Sequence, residues 1–398
     1  MPPSVESIHV SPFFTKEHLA RLVSRFVAVP SVNGVHAERD LAMLIAGLLG
    51  DTGLETALVG DEARPSLAAV LGTGDGGVLL NGHLDTVPVD DTDQWEHDPF
   101  AGVIADGAVH GRGACDMKGG LAIQVAVAQW AAADPAGHRL VLHFAMGEER
   151  GEPGTEDLIA AGWVAPEGIV LEPTDREIGV AQRGLITLRV VVEGRSGHAS
   201  RPDLTINPID RLPEILAVIT GLDSEPELHH PLLGAPAWTV TGIHAGVIPS
   251  MVPGELDVLV DRRMVPGETV DAVVETLRRA VTGAMTDARV TISVVEEEGI
   301  YQPAEIDAEG SSARRMAEAV QRFGIEPVMV GTPYSSDVRH LINTAGVSAL
   351  TFGPGKYADM HARDESIDID ELVQAARSVA AFCAMTWESE RGNGPQRA

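Results

Sequence analysis

The sequence predicts an α/β protein in which a central, mostly parallel sheet flanked by helices carries an inserted α+β sandwich. Three observations lead there. Short apolar runs alternate with helical spacing through the first part of the chain, the texture changes to alternating apolar and polar residues at "RGLITLRVVVEG", and the first pattern resumes near residue 310.

Residues 15–29 and 36–49 place apolar side chains three and four apart, which predicts two helices. Four short runs follow, "SLAAVLG", "GVLLNGH", "RLVLHFAM" and "GIVLEP", whose unbroken apolar character suits strands covered on both faces. Residues 119–133, "GGLAIQVAVAQWAAA", are rich in helix formers and precede the third run, so a strand, helix, strand unit is predicted. From Arg183 the predicted order is a strand, a helix at 207–220, strands around 237–244 and 255–263, a helix at 267–284 and the strand "RVTISVVEE". That β-α-β-β-α-β order is the split, ferredoxin-like arrangement, with helices on one face of an antiparallel sheet. The expected boundaries are 1–182 and 298–398 for the two parts of a catalytic domain and 183–297 for the insertion. The polar ending "ESERGNGPQRA" is expected to be loose.

Composition narrows the function. A length of 398 residues exceeds what one core usually supports, and 44% apolar with 22% charged residues reads as soluble and globular. No apolar run is long enough to span a bilayer. A formal charge of −29 argues against nucleic acid and anionic membrane as partners, since both require basic patches. The start, "MPPSVESIHVSPFF", has neither a basic region nor a sustained apolar one, so cytoplasm is the expected location. Cys115 and Cys383 are too few for a disulfide framework or a thiolate zinc site and are expected to be structural. Two motif-like stretches are set aside. "GTGDGG", 72–77, is followed by a strand and not a helix, leaving no helix amino terminus for a pyrophosphate, and reads as a hairpin turn. "VDDTDQWEHD" lacks the glycine and closing glutamate of a calcium loop and reads as solvated acids.

Acids and histidines fall where the strands end. His83 and Asp85 close "VLLNGHLD", Glu148 and Glu149 close "RLVLHFAMGEE", Glu172 closes "GIVLEP", and His361 comes shortly after "VSALTFGPG". In an open parallel sheet such groups gather on one rim. Asp116, in the glycine-rich loop "GRGACDMKGG", adds another. Charges directly after a buried strand are costly unless paired or metal-bound, and two histidines with several carboxylates form an oxygen-rich set that suits zinc, cobalt or manganese. The count points to a dinuclear site, with Asp116 as the bridge and a hydroxide between the ions, the standard apparatus for hydrolysing a peptide-like bond. One of the paired glutamates is then a ligand and the other is free to move the proton. Asp85, two residues from His83 on an extended segment, is expected to hold the other imidazole nitrogen and fix the tautomer.

Taken together, "GHLDTVP", "WEHDPFAG", "GRGACDMKGG", "GEERG", "LEPT", "SGHASRPDLTINPI", "DRRMVPGE", "SSDVRHL" and "FGPGKYADMHARDESI" resemble the M20 metallopeptidases, in that family's order and over nearly the whole chain. The family includes acetylornithine deacetylase, succinyl-diaminopimelate desuccinylase, aminoacylase and glutamate carboxypeptidase. The resemblance implies a zinc-peptidase-like catalytic domain, an inserted lid and dimerisation domain, and two zinc ions per subunit, with cobalt or manganese as substitutes. It implies that His83, Asp116 and Glu172 hold one ion, that Asp116, Glu149 and His361 hold the other, and that Glu148 is the general base and acid. His198 of "SGHAS" would reach the partner subunit's active site in a homodimer and stabilise the oxyanion. Arg263, in Asp-x-Arg with Asp261, would grip the substrate α-carboxylate, with Arg262 as the neighbouring alternative. The family often has asparagine before "VP" in the lid, where this chain has Ser250, so a substrate contact is altered there.

The reaction expected is hydrolysis of the amide bond of an N-acyl amino acid, in the manner of the deacetylases and desuccinylases. A dipeptidase or carboxypeptidase of the same family is the second reading, and a non-catalytic metal-binding protein is a third, disfavoured because it has no use for Glu148.

Overall fold

The computed structural model describes residues 4–393 apart from 36–37, 134–137, 225–227 and 287. Packing divides the chain into two units. One comprises Met1–Val180, Glu305–Val330 and Ser336–Ala398; the other comprises Ala181–Ala304 with Gly331–Ser335.

After a short helical stretch at Val5–Val10 the first unit continues with helices α1 (Lys16–Val27) and α2 (Glu38–Leu49). The Thr15 side chain accepts the His18 N–H to cap α1, whose spacing buries Leu19, Leu22, Val23 and Phe26 on one face. The first two residues of the predicted 36–49 helix lie outside the described residues. Strands β1 (Glu55–Val59), β2 (Ser66–Leu71) and β3 (Val78–His83) lead to α3 (Gly119–Ala131), then β4 (Leu140–Ala145), β5 (Glu167–Val170) and β6 (Ile178–Gln182). The second unit holds β7 (Gly184–Glu193), α4 (Leu212–Ser224), β8 (Ala237–Ala245), β9 (Glu255–Met264), α5 (Val270–Ala284) and β10 (Arg289–Val294). The chain returns through α6 (Ser311–Gln321), β11 (Ser348–Thr351) and α7 (Ile369–Asn393).

Seven strands of the large sheet run in the order β1, β2, β4, β3, β5, β11, β6. Its centre, β4, β3, β5 and β11, is parallel, and β3 and β4 are buried along their whole length, as their unbroken apolar runs require. The flanks are antiparallel: β1 with β2, β2 with β4, and β11 with β6. One sequence expectation is corrected here. "GTGDGG" is not a hairpin turn, because β4 lies between β2 and β3. The loop passes over the chain entering β4, and Gly72, at φ +78°, permits it: a Cβ there would lie 1.7 Å from the His138 carbonyl oxygen.

A second correction concerns the carboxyl terminus. The polar stretch expected to be loose continues α7 as far as Asn393, and residues 394–398 lie outside the described residues. The helix is anchored upstream by Leu372, Ala376, Val379, Phe382 and Trp387, all buried, and the Trp387 indole N–H donates to the Arg139 carbonyl at 3.1 Å. Extending a helix already nucleated costs little per residue.

In the second unit the sheet order is β8, β9, β7, β10, antiparallel throughout. Alternate residues of β7 are buried, and Ile186, Leu188, Val190 and Val192 pack with Ile215 of α4 and Leu277 of α5. This unit extends beyond 183–297 because Ile300 and Tyr301 pair with Ile186 and Leu185, and because the Thr332 carbonyl accepts the Arg183 N–H at 3.2 Å. Among the described residues no helix is long and apolar enough to cross a membrane.

Candidate metal centre

Because β4, β3, β5 and β11 are parallel, their carboxyl ends share one edge of the sheet. His83 is the last residue of β3, and Glu172 comes two residues after the end of β5. Glu148 and Glu149 sit in the short turn Glu148–Arg150 after β4. His361 lies in the loop beyond β11, with φ at +60°.

Two candidate ligand groups form there. The donor atoms of His83, Asp116 and Glu172 lie within 4.8 Å of one another, as do those of Asp116, Glu149 and His361. Asp116 belongs to both and uses one oxygen for each. Its Oδ1 is 3.1 Å from His83 Nε2, and its Oδ2 is 3.1 Å from His361 Nε2. Glu172 Oε1 lies 3.6 Å from His83 Nε2, and Glu149 Oε1 lies 3.0 Å from His361 Nε2. The donors are imidazole nitrogens and carboxylate oxygens, the set that zinc, cobalt and manganese accept. Carboxylates buried this close together repel unless a cation lies among them, so the residues fit a pair of divalent ions.

The Asp85 contact differs from the sequence expectation in detail. His83 Nδ1 faces the Asp85 main-chain carbonyl at 2.9 Å, while the carboxylate Oδ1 is farther, at 3.5 Å. The carboxylate has other work. It accepts the backbone N–H groups of Glu148 and Glu149, each at 3.1 Å, and the Asn33 side-chain amide at 2.5 Å. The strand leaves extended geometry after His83, so the chain turns before Asp85 and aims its side chain at the glutamate turn.

Two residues that sequence reasoning missed hold the Asp116 loop. Glu365 Oε1 accepts the backbone N–H groups of Cys115 and Asp116 at 2.9 Å, and Oε2 accepts the Gly113 N–H at 3.0 Å and the Arg112 guanidinium at 2.6 Å. Arg112 also donates to the His361 carbonyl at 3.2 Å, joining the loops that carry Asp116 and His361. Both lay within quoted motifs, "GRGACDMKGG" and "ARDESI", yet only their burial distinguishes them.

The electrostatics divide the acids. Burial pushes Glu148 well above the ordinary carboxylate range, Asp337 and Glu149 add to it, and His83 and Arg339 oppose. Glu172 is likewise pushed well up by burial and then by Asp116. Burial works against ionised Asp116 too, but its hydrogen bonds to His361 and His83 hold it below the usual range. Those bonds, with Glu149, raise His361 to about 10. Burial alone would lower His83, but Glu172, Asp116 and Asp85 hold it well up. Glu148 is in neither ligand group; its Oε1 lies 4.0 Å from Arg339 Nη1.

Behind Glu148 runs a buried polar chain. The Thr155 hydroxyl donates to Asp337 Oδ2 at 2.6 Å and accepts the Asn81 amide at 2.8 Å. Asn81 also approaches His143 Nδ1 at 3.4 Å, and His143 Nε2 donates to the Trp163 carbonyl at 2.5 Å.

The remaining predicted residues belong to the second unit. His198 is exposed on a two-residue strand paired with Met251–Val252. Its Nδ1 accepts the Ser200 backbone N–H at 3.2 Å, which puts the neutral ring's proton on Nε2. Ser250 is exposed, and its main-chain carbonyl accepts the Ala199 N–H at 2.9 Å, pinning the His198 loop. Arg263 and Arg262 point to opposite faces of β9. Arg263 is exposed and bonded to Asp261 at 3.0 Å, whereas Arg262 is buried, stacked 4.3 Å from the Trp238 ring centroid and paired with Glu268.

Residues 79–385 match the model of peptidase family M20/M25/M40. A succinyl-diaminopimelate desuccinylase from Paracoccus denitrificans is 28% identical over 376 residues, covering 90% of this chain and 95% of the relative. The enzyme of that name from Gluconobacter oxydans is 31% identical over 365 residues, covering 85% and 90%. The crystal structure of a tripeptidase from Staphylococcus aureus superposes with a TM-score of 0.76 at 18% identity, covering 94% of this chain and 99% of the other, a likeness of fold.

Proposed function

Since this chain belongs to peptidase family M20/M25/M40 and is a metal-dependent amidohydrolase, we propose that it removes the acyl group from an N-acyl amino acid, with N-succinyl substrates first in line. The observation that carries this reading is the pair of candidate ligand groups sharing Asp116, with Glu148 beside them, largely enclosed and outside both. The desuccinylase relatives favour the succinyl group.

His83, Asp116 and Glu172 would hold one zinc ion, and Asp116, Glu149 and His361 the other. When bound, the ions polarise the scissile carbonyl and make water nucleophilic at neutral pH. The chain's residues do the rest. Glu148, whose pKa burial raises, takes the proton from attacking water and returns it to the leaving amine. Asp85 fixes the backbone from which Glu148 and Glu149 project. Arg263 would grip the amino-acid carboxylate, since its open face of β9 leaves the guanidinium free beyond Asp261. His198, with its proton on Nε2, would donate to the developing oxyanion of a partner subunit. The homodimer this requires is supported by the edge strand β8 and by Ile243, Val247 and Ile248, which are 45%, 85% and 53% exposed. We place the enzyme in the cytoplasm, in keeping with its two free cysteines.

The test is hydrolysis by metal-stripped protein reloaded with zinc or cobalt, on a panel of N-succinyl, N-acetyl and dipeptide substrates, with Glu148→Ala as control. Metal-dependent release of an acyl group, lost in the variant, is expected. Dipeptide cleavage alone would move the protein to the peptidases.

A further inference from the structure

The geometry points to Arg150 as the residue that selects an acyl group ending in a carboxylate. This rests on the amidohydrolase reading above and extends it to the substrate's far end.

The metal centre is built from acids, in a chain of net charge −29, so a substrate whose acyl group carries a second carboxylate needs a cation near the reacting carbonyl. The cations around the centre are mostly committed. Arg112 pairs with Glu365 at 2.6 Å, and Lys118 is fully buried with Nζ on the Val29 carbonyl at 2.9 Å. Arg339 is buried, donates to the Ser336 carbonyl at 2.8 Å and faces Glu148.

Arg150 differs. It closes the turn that holds Glu148 and Glu149, and it is exposed. Among the described residues its guanidinium has no ion-pair or hydrogen-bond partner. Its place is nevertheless defined, because the guanidinium lies against Gly34: a Cβ on that glycine would stand 2.3 Å from Nη1 and 3.5 Å from Cζ. Gly34 follows Asn33, whose amide binds the same Asp85 carboxylate that fixes the glutamate turn. One small framework therefore positions both the proton carrier and a free planar cation. With ordinary bond lengths the far carboxyl carbon of a succinyl group lies about 4 Å from its amide carbonyl carbon, and an arginine side chain reaches about 6 Å from its backbone. An unpaired guanidinium offers that carboxylate two parallel donors, which an acetyl group cannot use.

The experiment compares kcat/KM for N-succinyl and N-acetyl forms of one amino acid, using zinc-loaded wild type, Arg150→Ala and Arg150→Lys. In Arg150→Ala the succinyl substrate is expected to lose about 30- to 100-fold, mostly through KM, while the acetyl substrate changes less than about 3-fold. Arg150→Lys should recover part of the loss, and succinate should inhibit wild type more strongly than Arg150→Ala. A wild type that prefers succinyl, and keeps that preference in Arg150→Ala, overturns this inference alone. Equal losses on both substrates also overturn it, since they mean a structural role. A wild type with no preference for succinyl over acetyl removes the succinyl reading and this inference with it.

Discussion

The Glu365 carboxylate accepts the backbone N–H of Asp116 at 2.9 Å, so a residue outside both ligand groups fixes the main chain of the one residue they share. Glu365→Gln keeps the size but turns an amide toward donors. Affinity for metal is expected to fall about 10- to 100-fold at both positions together. Competition against a chromogenic chelator measures it, and an unchanged affinity would show that the loop holds itself.

Asp85 joins His83 to the glutamate turn, so Asp85→Asn should damage catalysis more than folding. The amide presents one oxygen where two backbone N–H groups need acceptors. A fall of about 100-fold in kcat, with a Tm lowered by only a few degrees, is expected. Steady-state kinetics beside thermal unfolding separates the two effects.

Glu148→Gln should abolish turnover while leaving the metals in place, because Glu148 belongs to neither ligand group. Loss of about a thousandfold or more in kcat is expected, with two ions per chain still counted by metal analysis. Loss of one ion would make Glu148 a ligand.

His143 is fully buried, and burial lowers its pKa from 6.5 to about 4, against the Trp163 hydrogen bond. Between pH 6.5 and 4 the unfolded chain binds this proton and the folded one does not, so stability falls as pH falls through that window. The cost is on the order of 3 kcal/mol at the acid end. Urea unfolding of wild type and His143→Gln at pH 7 and pH 5 should show a steeper acid loss in wild type; parallel lines would count against it.

Removing the metals should reverse the slope on the alkaline side. In the metal-free protein His361 is raised to about 10 and His83 is also raised, so the stability they contribute is complete below pH 6.5 and is lost as pH rises through the folded values. Glu148 and Glu172, raised by burial, act in the same direction above the ordinary carboxylate range. Tm of chelator-treated protein is expected to fall from pH 6.5 to 9, with a flatter profile after zinc is restored.

Much of this is legible in the sequence. Strand ends marked by His83, Glu148, Glu149, Glu172 and His361 could be read because burial demands an unbroken apolar run and a charge can follow only at an edge. Glu365 and Arg112 could not be singled out, since a buried ion pair looks like any two surface charges until the fold encloses it. The "GTGDGG" loop was misread because strand neighbours are set by pairing across the sheet, and β4 enters between two strands adjacent in the chain.

By itself, then, the sequence determined the element types, the insertion and the kinds of candidate ligand atom, because periodicity and residue chemistry are local properties. Only the tertiary structure decided that Asp116 divides its two oxygens between His83 and His361. Only it decided that the Asp85 carboxylate serves the glutamate turn more closely than the imidazole, and that Arg262 is enclosed while Arg263 is exposed. These are matters of direction and enclosure across residues far apart in the chain, and a side chain's direction is fixed when the elements pack.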